Sequence, residues 1–218
     1  MIELLHKDCM EYMAGLPDKA YDLAIVDPPY GLPEGAVHAR AGHLKGRAIQ
    51  SGSAKMKGWD IAPPPEYFEE LMRVSEHQII WGGNHFNLPP CRGPIVWDKC
   101  QPWENFAQVE IAWCSVAWPA QLFKLDNRTG GKIHPTQKPV ALYRWLLQNY
   151  AKPGQRILDT HLGSGSIAIA CDIEGFDLVG CEIDADYIAG ARKRLADHQA
   201  QPRMFDAPKP EQPQQLTI

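Results

Sequence analysis

A carboxylate followed by two prolines and a tyrosine is the most chemically suggestive feature of the sequence. Asp27 directly follows an apolar run at residues 21–26, and Pro28, Pro29 and Tyr30 come next. The Asp27 carboxylate and the Pro28 carbonyl can each accept one N–H bond, and proline fixes the backbone without adding a competing donor. Tyr30 offers an aromatic face. The motif therefore indicates a site for a planar amide or amino group.

A glycine-rich loop in the second half of the chain predicts a ligand that contains adenosine. Residues 159–166, Asp-Thr-His-Leu-Gly-Ser-Gly-Ser, follow one predicted strand and open a predicted helix. Glycines let the backbone approach a ligand closely, and the free N–H groups of a helix start can bind it. Glu182 ends the next predicted strand, where its carboxylate can accept hydrogen bonds from two ribose hydroxyls.

Two kinds of adenosine ligand fit this loop. Gly163-x-Gly165-x-x-Ala168 satisfies the dinucleotide fingerprint, with Glu182 at about the expected distance, so a dehydrogenase is a serious alternative. Asp159 argues against it, because a carboxylate at that strand end would repel a diphosphate. S-adenosylmethionine carries a sulfonium and an ammonium but no phosphate, so the sequence favours it as the cofactor.

Both motifs, together with residues 134–139, His-Pro-Thr-Gln-Lys-Pro, resemble the amino-methyltransferases of DNA. The resemblance covers the chain up to about residue 198 and looks closest to small enzymes encoded by bacteriophages and prophages. It implies the α/β fold class, with a Rossmann-like, S-adenosylmethionine-dependent methyltransferase sheet. The target-base motif precedes the cofactor glycines, which resembles the circularly permuted order of the beta class.

The resemblance also assigns roles to single residues. The catalytic residues, which hold the target base, are Asp27, Pro28, Pro29 and Tyr30. The residues expected to border the cofactor are Asp8, Cys9, Asp27, His134, Pro135, Thr136, Lys138, Asp159, Leu162, Gly163, Ser164, Gly165, Ser166, Glu182 and Ile183. Structural roles remain alternatives for three of them: helix capping for Asp8, a surface charge for Lys138 and core packing for Tyr30. Trp81, Trp97 and Asn84 could line the pocket, although such tryptophans more often belong to the core.

The chemistry implied is methyl transfer to adenine N6 or, less often, cytosine N4. The exocyclic amino group is a poor nucleophile because its lone pair is delocalised into the ring. Acceptors at Asp27 and the Pro28 carbonyl would favour the pyramidal nitrogen that can attack. The base must leave the duplex to be reached, and stacking on Tyr30 would offset part of that cost, by about 1–3 kcal/mol.

Double-stranded DNA is the expected partner, although the formal net charge of the 218-residue chain is −4. Residues 36–59 are predicted to be a basic, mobile loop without acids beside the target-base motif, and residues 100–133 a short target-recognition region. The cations expected to contact DNA are Arg40, Lys45, Arg47, Lys55, Lys57 and Arg128. Because the recognition region is short, three alternatives stay open: the recognised site is short, binding is permissive, or a second subunit in a homodimer helps to read the sequence.

Composition is that of an ordinary globular domain, with 44% hydrophobic and 22% charged residues. The six cysteines form no CxxC pair, and the histidines lack ligand spacing, so neither disulfides nor a metal is expected. No apolar stretch approaches the length of a membrane span, and a cytoplasmic protein is expected. Residues 1–198 are predicted to be the methyltransferase domain, and residues 199–218 a disordered tail rich in Gln and Pro.

Periodicity and punctuation predict alternating strands and helices, which is typical of a parallel α/β sheet. Strands are expected at residues 21–26, 78–81, 95–97, 109–113, 156–158 and 177–181. Helices are expected at residues 66–74, 139–150, 166–174 and 184–197.

Several alternatives to an adenine-specific enzyme remain open. Related enzymes that act on cytosine N4 more often have serine at the position of Asp27, so Asp27 favours adenine. RNA is a further substrate for the same chemistry, and protein-glutamine methyltransferases typically have asparagine there. A DNA-binding module of the same fold without activity is the alternative from another class. The sequence does not decide whether the protein is paired with a restriction enzyme.

Overall fold

Short apolar runs form one eight-stranded sheet in the computed structural model, which describes residues 1–32, 61–101, 107–126 and 137–201. The strands are β1 (Ile2–His6), β2 (Tyr21–Val26), β3 (Ser75–Trp81), β4 (Ile95–Asp98), β5 (Val109–Cys114), β6 (Gln121–Lys124), β7 (Arg156–Asp159) and β8 (Asp177–Glu182). Their order across the sheet is β1-β8-β7-β2-β3-β5-β4-β6. The strands expected from the sequence are all present, and β1 and β6 are additional.

The sheet is mixed, whereas the sequence predicted a parallel one. Strands β1, β8, β7, β2 and β3 pair in parallel, but β5 runs antiparallel to both β3 and β4. A parallel return from β4 to β5 would need a crossover of about a dozen residues or more, usually with a helix. The connection at residues 99–108 is too short for this, so β5 turns back along β4.

Helices cover both faces of the sheet. They are α1 (Cys9–Ala14), α2 (Pro65–Val74), α3 (Val140–Tyr150), α4 (Ser166–Glu174) and α5 (Ala185–Gln199), with a short 3₁₀ turn at Gly83–His85. Alternate residues of β2 face opposite sides, as expected for a strand buried on both faces. Leu23 and Ile25 pack with α3, α4 and α5, and Ala24 and Val26 pack with α1 and α2.

The helix boundaries follow local signals that the sequence carries. Helix α2 has proline in its first turn, and α4 lies between Gly165 and Gly175, both with left-handed backbones. Helix α5 begins after Asp184, whose side chain accepts hydrogen bonds from the backbone N–H groups of residues 186 and 187. Helix α1 was not predicted, because its six residues are too few to show a clear period.

Other sequence expectations can be compared with the described residues only. All six cysteines lie among them and are free thiols. Within the same ranges, the helices are too short or too polar to cross a membrane. The expected recognition region at 100–133 contributes β5 and β6 to the sheet, while its residues 102–106 and 127–133 lie outside the described part. The predicted tail lies outside it from residue 202 onward.

The register of the parallel strands brings the functional motifs to one edge. Ala24 of β2 is paired with Leu158 of β7, so Asp27 and Asp159 both lie just beyond this pair at the carboxyl ends of neighbouring strands. On the other side of β7, Asp159 is paired with Gly180 of β8. Ligands of open α/β sheets bind at this edge, which makes it the place to look for a site.

Burial of α3 against the sheet can be tested by truncating one side chain. Leu146 is fully buried in the core, whereas Leu122 on β6 is 55% exposed. We expect Leu146→Ala to lower the free energy of unfolding by about 2–5 kcal/mol, because it leaves a cavity. The matched control Leu122→Ala should change it by less than about 0.5 kcal/mol. Urea denaturation followed by circular dichroism measures both, and equal losses would contradict this packing.

Candidate active site

Carboxyl groups lie at or just beyond the ends of four parallel strands, at the carboxyl edge of the sheet. Asp27 follows β2, Asp159 ends β7, Glu182 ends β8, and Asp8 lies two residues beyond β1. The structure therefore brings together the target-base motif and the cofactor loop, which are separated by more than half of the sequence. The edge can be described in two halves, one around Asp27 and the other around Asp159.

Asp27 is held by an ammonium group and a phenol. The Lys138 ammonium forms an ion pair with Asp27 Oδ2, and the Tyr30 hydroxyl donates to Asp27 Oδ1 at 2.8 Å. Burial and the nearby Asp27 carboxylate raise the pKa of Tyr30, so its hydroxyl keeps the proton that it donates. Both carboxylate oxygens thus have defined partners, and the carboxylate has a fixed orientation.

Lys138 is buried, which excludes the surface charge considered from the sequence. Its side chain is 3% exposed, and its Nζ lies 3.2 Å from Glu110 Oε2 and 3.5 Å from the Tyr30 hydroxyl. Burial opposes the charge, but Asp27 and Glu110 hold the pKa of Lys138 above its ordinary value. The structure places this lysine against the target-base motif. The role of closing over a cofactor, which the resemblance implied for it, stays a prediction.

Glu110 joins a second lysine to this cluster and was not predicted from the sequence. It lies in β5 and forms ion pairs with both Lys138 and Lys99. Burial alone would raise its pKa, but the two ammonium groups lower the pKa of Glu110 to about 2. One signal could have identified it, since it is the only charged residue of the strand sequence VEIAWC.

Two tryptophans border the cluster from the core. The Trp81 ring lies 5.2 Å from the Lys138 Nζ, and the Trp97 ring 5.4 Å from the Lys99 Nζ, within reach of cation–π attraction. Both indoles are almost fully buried, in agreement with the core role considered for them. Asn84 is exposed and contacts the next residue, with its Nδ2 3.2 Å from His85 Nε2.

Tyr30 lies in an aromatic setting at the outer side of Asp27. Its ring stacks on His85, with centroids 5.0 Å apart and planes at 19°, and contacts Phe86 edge-on at 6.1 Å. Gly82, with φ of +69°, leaves room for the ring, because a Cβ there would lie 2.2 Å from a Tyr30 ring carbon. His85 was not singled out from the sequence and is a further aromatic group at this site.

Pro28 and Pro29 connect these groups to the strand. Pro28 is buried and Pro29 half-buried, and both follow Asp27, the first residue after β2. The chain turns away from the sheet here, as the two prolines predicted.

Asp159 is the most deeply buried carboxyl group of the other half. It is 1% exposed and accepts a hydrogen bond from the backbone N–H of His161 at 3.0 Å. Burial, reinforced by the charges of Asp27 and Glu182, raises the pKa of Asp159 to about 8. This carboxyl group therefore carries a proton over much of the neutral range and would ionise more readily beside a cation.

Glu182 organises the glycine-rich loop. Its Oε2 accepts from the backbone N–H of Gly163 at 2.8 Å, and its Oε1 from that of Asp184 at 2.9 Å. Gly163 and Gly165 have positive φ of 50° and 71°, a backbone that glycine adopts without strain. These bonds hold the loop against the end of β8. Glu182, which makes them, is the residue that was expected to bind ribose.

The remaining loop residues differ in exposure. Ser164 and Ser166 are buried with their hydroxyl oxygens 3.2 Å apart, and Arg194 of α5 donates to the Ser164 carbonyl. Leu162 is buried at 5% exposure beside Gly180 of β8, whereas Ile183 is 68% exposed. Of these residues, Ile183 has the side chain most open to a ligand.

Asp8 caps a helix, which is the structural role considered for it. Its Oδ1 accepts from the backbone N–H groups of Met10 and Glu11 at 2.8 and 3.0 Å, at the start of α1. Burial raises the pKa of the neighbouring Cys9 thiol to about 11, so this thiol is protonated and not a nucleophile. In this position Asp8 still lies at the carboxyl edge of the sheet, where it was expected to border the adenine of the cofactor.

A buried polar cluster behind the loop was also missed. The Tyr67 hydroxyl lies 2.6 Å from Thr160 Oγ1, which lies 3.0 Å from His161 Nδ1. Burial lowers the pKa of His161 to about 4, so its imidazole is neutral. The cluster ties α2 to the loop at residues 159–166 and supports the position of Asp159.

Several predicted site residues lie outside the described part of the chain. They are the expected DNA contacts Arg40, Lys45, Arg47, Lys55, Lys57 and Arg128, and the expected cofactor contacts His134, Pro135 and Thr136. The predicted loop at 36–59 lies outside it as well. Among residues 1–32, 61–101, 107–126 and 137–201, no cluster of potential ligands could hold a metal ion.

Known DNA methyltransferases resemble this chain in sequence and in fold. A family described as DNA methylase matches residues 97–193, which include Asp159 and Glu182 but not Asp27. The type II methyltransferase M2.DpnII of Streptococcus pneumoniae is 22% identical, and the match covers 88% of each chain. These two similarities support a DNA methyltransferase.

Two solved structures show the fold. The M1.HpyAVI–SAM complex has a TM-score of 0.58 at 22% identity, covering 89% of this chain and all of that one. The cytosine-N4-specific PvuII DNA methyltransferase has a TM-score of 0.59 at 12% identity, covering 90% of each chain. The predicted Rossmann-like α/β methyltransferase fold is therefore confirmed.

The close approach of Gly82 to Tyr30 predicts an unusually costly alanine substitution. Gly82→Ala and Gly154→Ala both place alanine at positive φ, which costs about 1–2 kcal/mol. Only Gly82→Ala also displaces a side chain, because nothing lies within 4 Å of a Cβ at Gly154. We expect it to lower the free energy of unfolding by about 1–3 kcal/mol more than Gly154→Ala. Equal losses in chemical denaturation would contradict the observed position of Tyr30.

Proposed function

We propose that the protein transfers the methyl group of S-adenosylmethionine to N6 of adenine in DNA. One observation carries the proposal: the Asp27 carboxylate, oriented by Tyr30 and Lys138, lies at the strand end next to that of Asp159. An acceptor for an amino group and an acid suited to a cationic ligand are thus neighbours. The similarity to DNA methyltransferases supports the same function.

The residues around the glycine loop suit this methyl donor. Asp8, Asp159 and Glu182 place three carboxyl groups at neighbouring strand ends, a set that favours cations and hydroxyls over a diphosphate. When bound, S-adenosylmethionine supplies an electrophilic methyl group on a positively charged sulfur. Asp159 would face its cationic part. Glu182 would accept hydrogen bonds from the ribose hydroxyls in place of those that it accepts from backbone N–H groups. The dehydrogenase alternative is disfavoured for the same electrostatic reason.

Asp27 would act as an orienting acceptor. A carboxylate has about four acceptor positions, so Asp27 can accept an N–H of the target base while it keeps the bond from Lys138. The Pro28 carbonyl would accept the second N–H. As the new N–C bond forms and the S–C bond breaks, the nitrogen must lose one proton, which Asp27 can receive or pass to water. Positioning of this kind supplies much of the acceleration in such reactions.

Tyr30 would bind the base that has left the duplex. Its ring already stacks on His85, so the base can use the opposite face or displace the imidazole. Each base–aromatic contact contributes about 1–3 kcal/mol, which offsets part of the cost of unstacking. The basic stretch at residues 36–59 follows this motif in the sequence and remains the predicted contact to phosphates.

Adenine is proposed over cytosine on the identity of residue 27. Aspartate at this position favours adenine within the resembling family, and serine would favour cytosine N4. Cytosine N4 stays the second candidate, because a cytosine-specific enzyme shares the fold at a TM-score of 0.59. A homodimer and a bacteriophage source remain predictions from the sequence.

The proposed activity predicts a separation between transfer and cofactor binding. Tritium from labelled S-adenosylmethionine should enter DNA with the wild-type protein and not with Asp27→Ala. Calorimetry should show that Asp27→Ala keeps the affinity for S-adenosylmethionine within about threefold, because its partners are Lys138 and Tyr30 rather than the glycine loop.

Two results would contradict that separation of roles. Loss of cofactor binding in Asp27→Ala would show that Asp27 belongs to the cofactor site. DNA binding without any transfer by the wild-type protein would favour the inactive DNA-binding module.

The buried Asp159 predicts that cofactor binding releases a proton. Its pKa is raised to about 8, and a nearby cation would lower it, so binding below that pH should ionise the carboxyl group. Affinity for S-adenosylmethionine should therefore rise between about pH 6 and about pH 8, and it should stay constant at higher pH.

Calorimetry in buffers of different ionisation enthalpy measures the proton released. S-adenosylhomocysteine, which lacks the sulfonium charge, should release less, and Asp159→Asn should release none from this site. Equal proton release by the wild-type protein and Asp159→Asn would contradict the proposed contact.

A further inference from the structure

The ammonium group of Lys138 uses all three of its N–H donors. The three N–H donors of a lysine can each serve one acceptor. Three oxygens surround Lys138 Nζ: Asp27 Oδ2 and Glu110 Oε2 as ion pairs, the latter at 3.2 Å, and the Tyr30 hydroxyl at 3.5 Å. The orientation of the ammonium, and with it that of the Asp27 carboxylate, therefore depends on Glu110.

Glu110 reaches this position because β5 runs opposite to its neighbours. The start of an antiparallel strand lies at the same edge as the ends of parallel ones, so Glu110, the second residue of β5, lies at the same edge as the end of β2, with β3 between the two strands. It is half-buried between two lysines, and its carboxylate divides its oxygens between them, with Oε1 on Lys99 and Oε2 on Lys138. A carboxylate that only balanced Lys99 would not need the second contact.

We propose that Glu110 is a positioning residue for methyl transfer: it holds Lys138 against Asp27, so that the carboxylate points toward the amino group of the target base. This role rests on the function proposed above. Glu110 touches neither base nor cofactor, and it acts through Lys138.

Charge balance gives Glu110 a second effect on the same step. Asp27 and Glu110 together neutralise Lys99 and Lys138. Methyl transfer moves positive charge from sulfur toward the amino nitrogen beside Asp27. Without Glu110 the cluster would carry one uncompensated positive charge, which would oppose that movement in a poorly solvated site.

A role limited to Lys99 is the structural alternative, and a double-variant cycle separates the two. If Glu110 serves only to neutralise Lys99, then Glu110→Gln should have no effect once Lys99→Met has removed that charge. If Glu110 positions Lys138, the effect should persist in the Lys99→Met background. Glu76→Gln, which removes an exposed carboxylate paired with Lys19 at 4.0 Å, is the matched control.

The experiment measures single-turnover methyl transfer to DNA, cofactor affinity and thermal stability for each variant. We expect Glu110→Gln to lower the transfer rate about tenfold or more, as small misplacements of reacting groups do, in both the wild-type and the Lys99→Met backgrounds. The affinity for S-adenosylmethionine should change by less than about threefold, and Glu76→Gln should behave as wild type.

The outcomes are distinct. A wild-type rate in Glu110→Gln, or a loss that disappears in the Lys99→Met background, would overturn the positioning role. If Glu110→Gln alone fails to fold because Lys99 is left unpaired, the double variant compared with Lys99→Met still decides. Absence of transfer by the wild-type protein would instead overturn the proposed function, and with it this role.

Discussion

Removing a lysine ammonium from water is costly, so a buried lysine needs charged partners. The half of the site around Asp27 depends on how Lys138 is paired. Desolvation of the charge is repaid only when carboxylates with good geometry surround it. Asp27 and Glu110 provide this pairing, and Tyr30 adds a third oxygen. The consequence is a carboxylate at residue 27 that already has a fixed orientation before any substrate arrives. Such preorganisation is what catalysis by positioning requires.

The two halves of the site use buried charge in opposite ways. Around Asp27, carboxylates and ammonium groups balance, and Glu110 remains ionised with a pKa of about 2. Around Asp159 burial dominates and raises the pKa to about 8, and the charge of Lys138 compensates it only in part. The first half is thus complete by itself, whereas the second would gain most from a positively charged ligand. This difference supports a division into a base-holding half and a cofactor-binding half.

Strands and helices with clear local punctuation could be predicted from the sequence. Strand β2 ends at Val26, one residue before the proline pair, and α4 is bounded by Gly165 and Gly175. The reversed direction of β5 was missed, because an apolar run has no direction of its own and only the short connection at residues 99–108 indicates it. Helix α1 is too short to show a clear period, and in β1 the charged Glu3 interrupts the apolar residues.

The site shows a similar limit. Motifs that are contiguous in the sequence led to Asp27, Tyr30, Asp159 and Glu182, all of which lie at one edge. The pairing of Glu110 with Lys138 could not be seen in the same way, because the two residues are far apart in the chain and only the antiparallel strand brings them together.

The chemical identity of the methylated base tests the central claim most directly. DNA from a host without its own adenine methylation, expressing the protein, can be digested to nucleosides and examined by mass spectrometry. The account predicts N6-methyladenine that is absent from the host carrying an empty vector. N4-methylcytosine in its place would contradict the role given to Asp27 in choosing adenine, and no modified base at all would contradict the proposed methyl transfer.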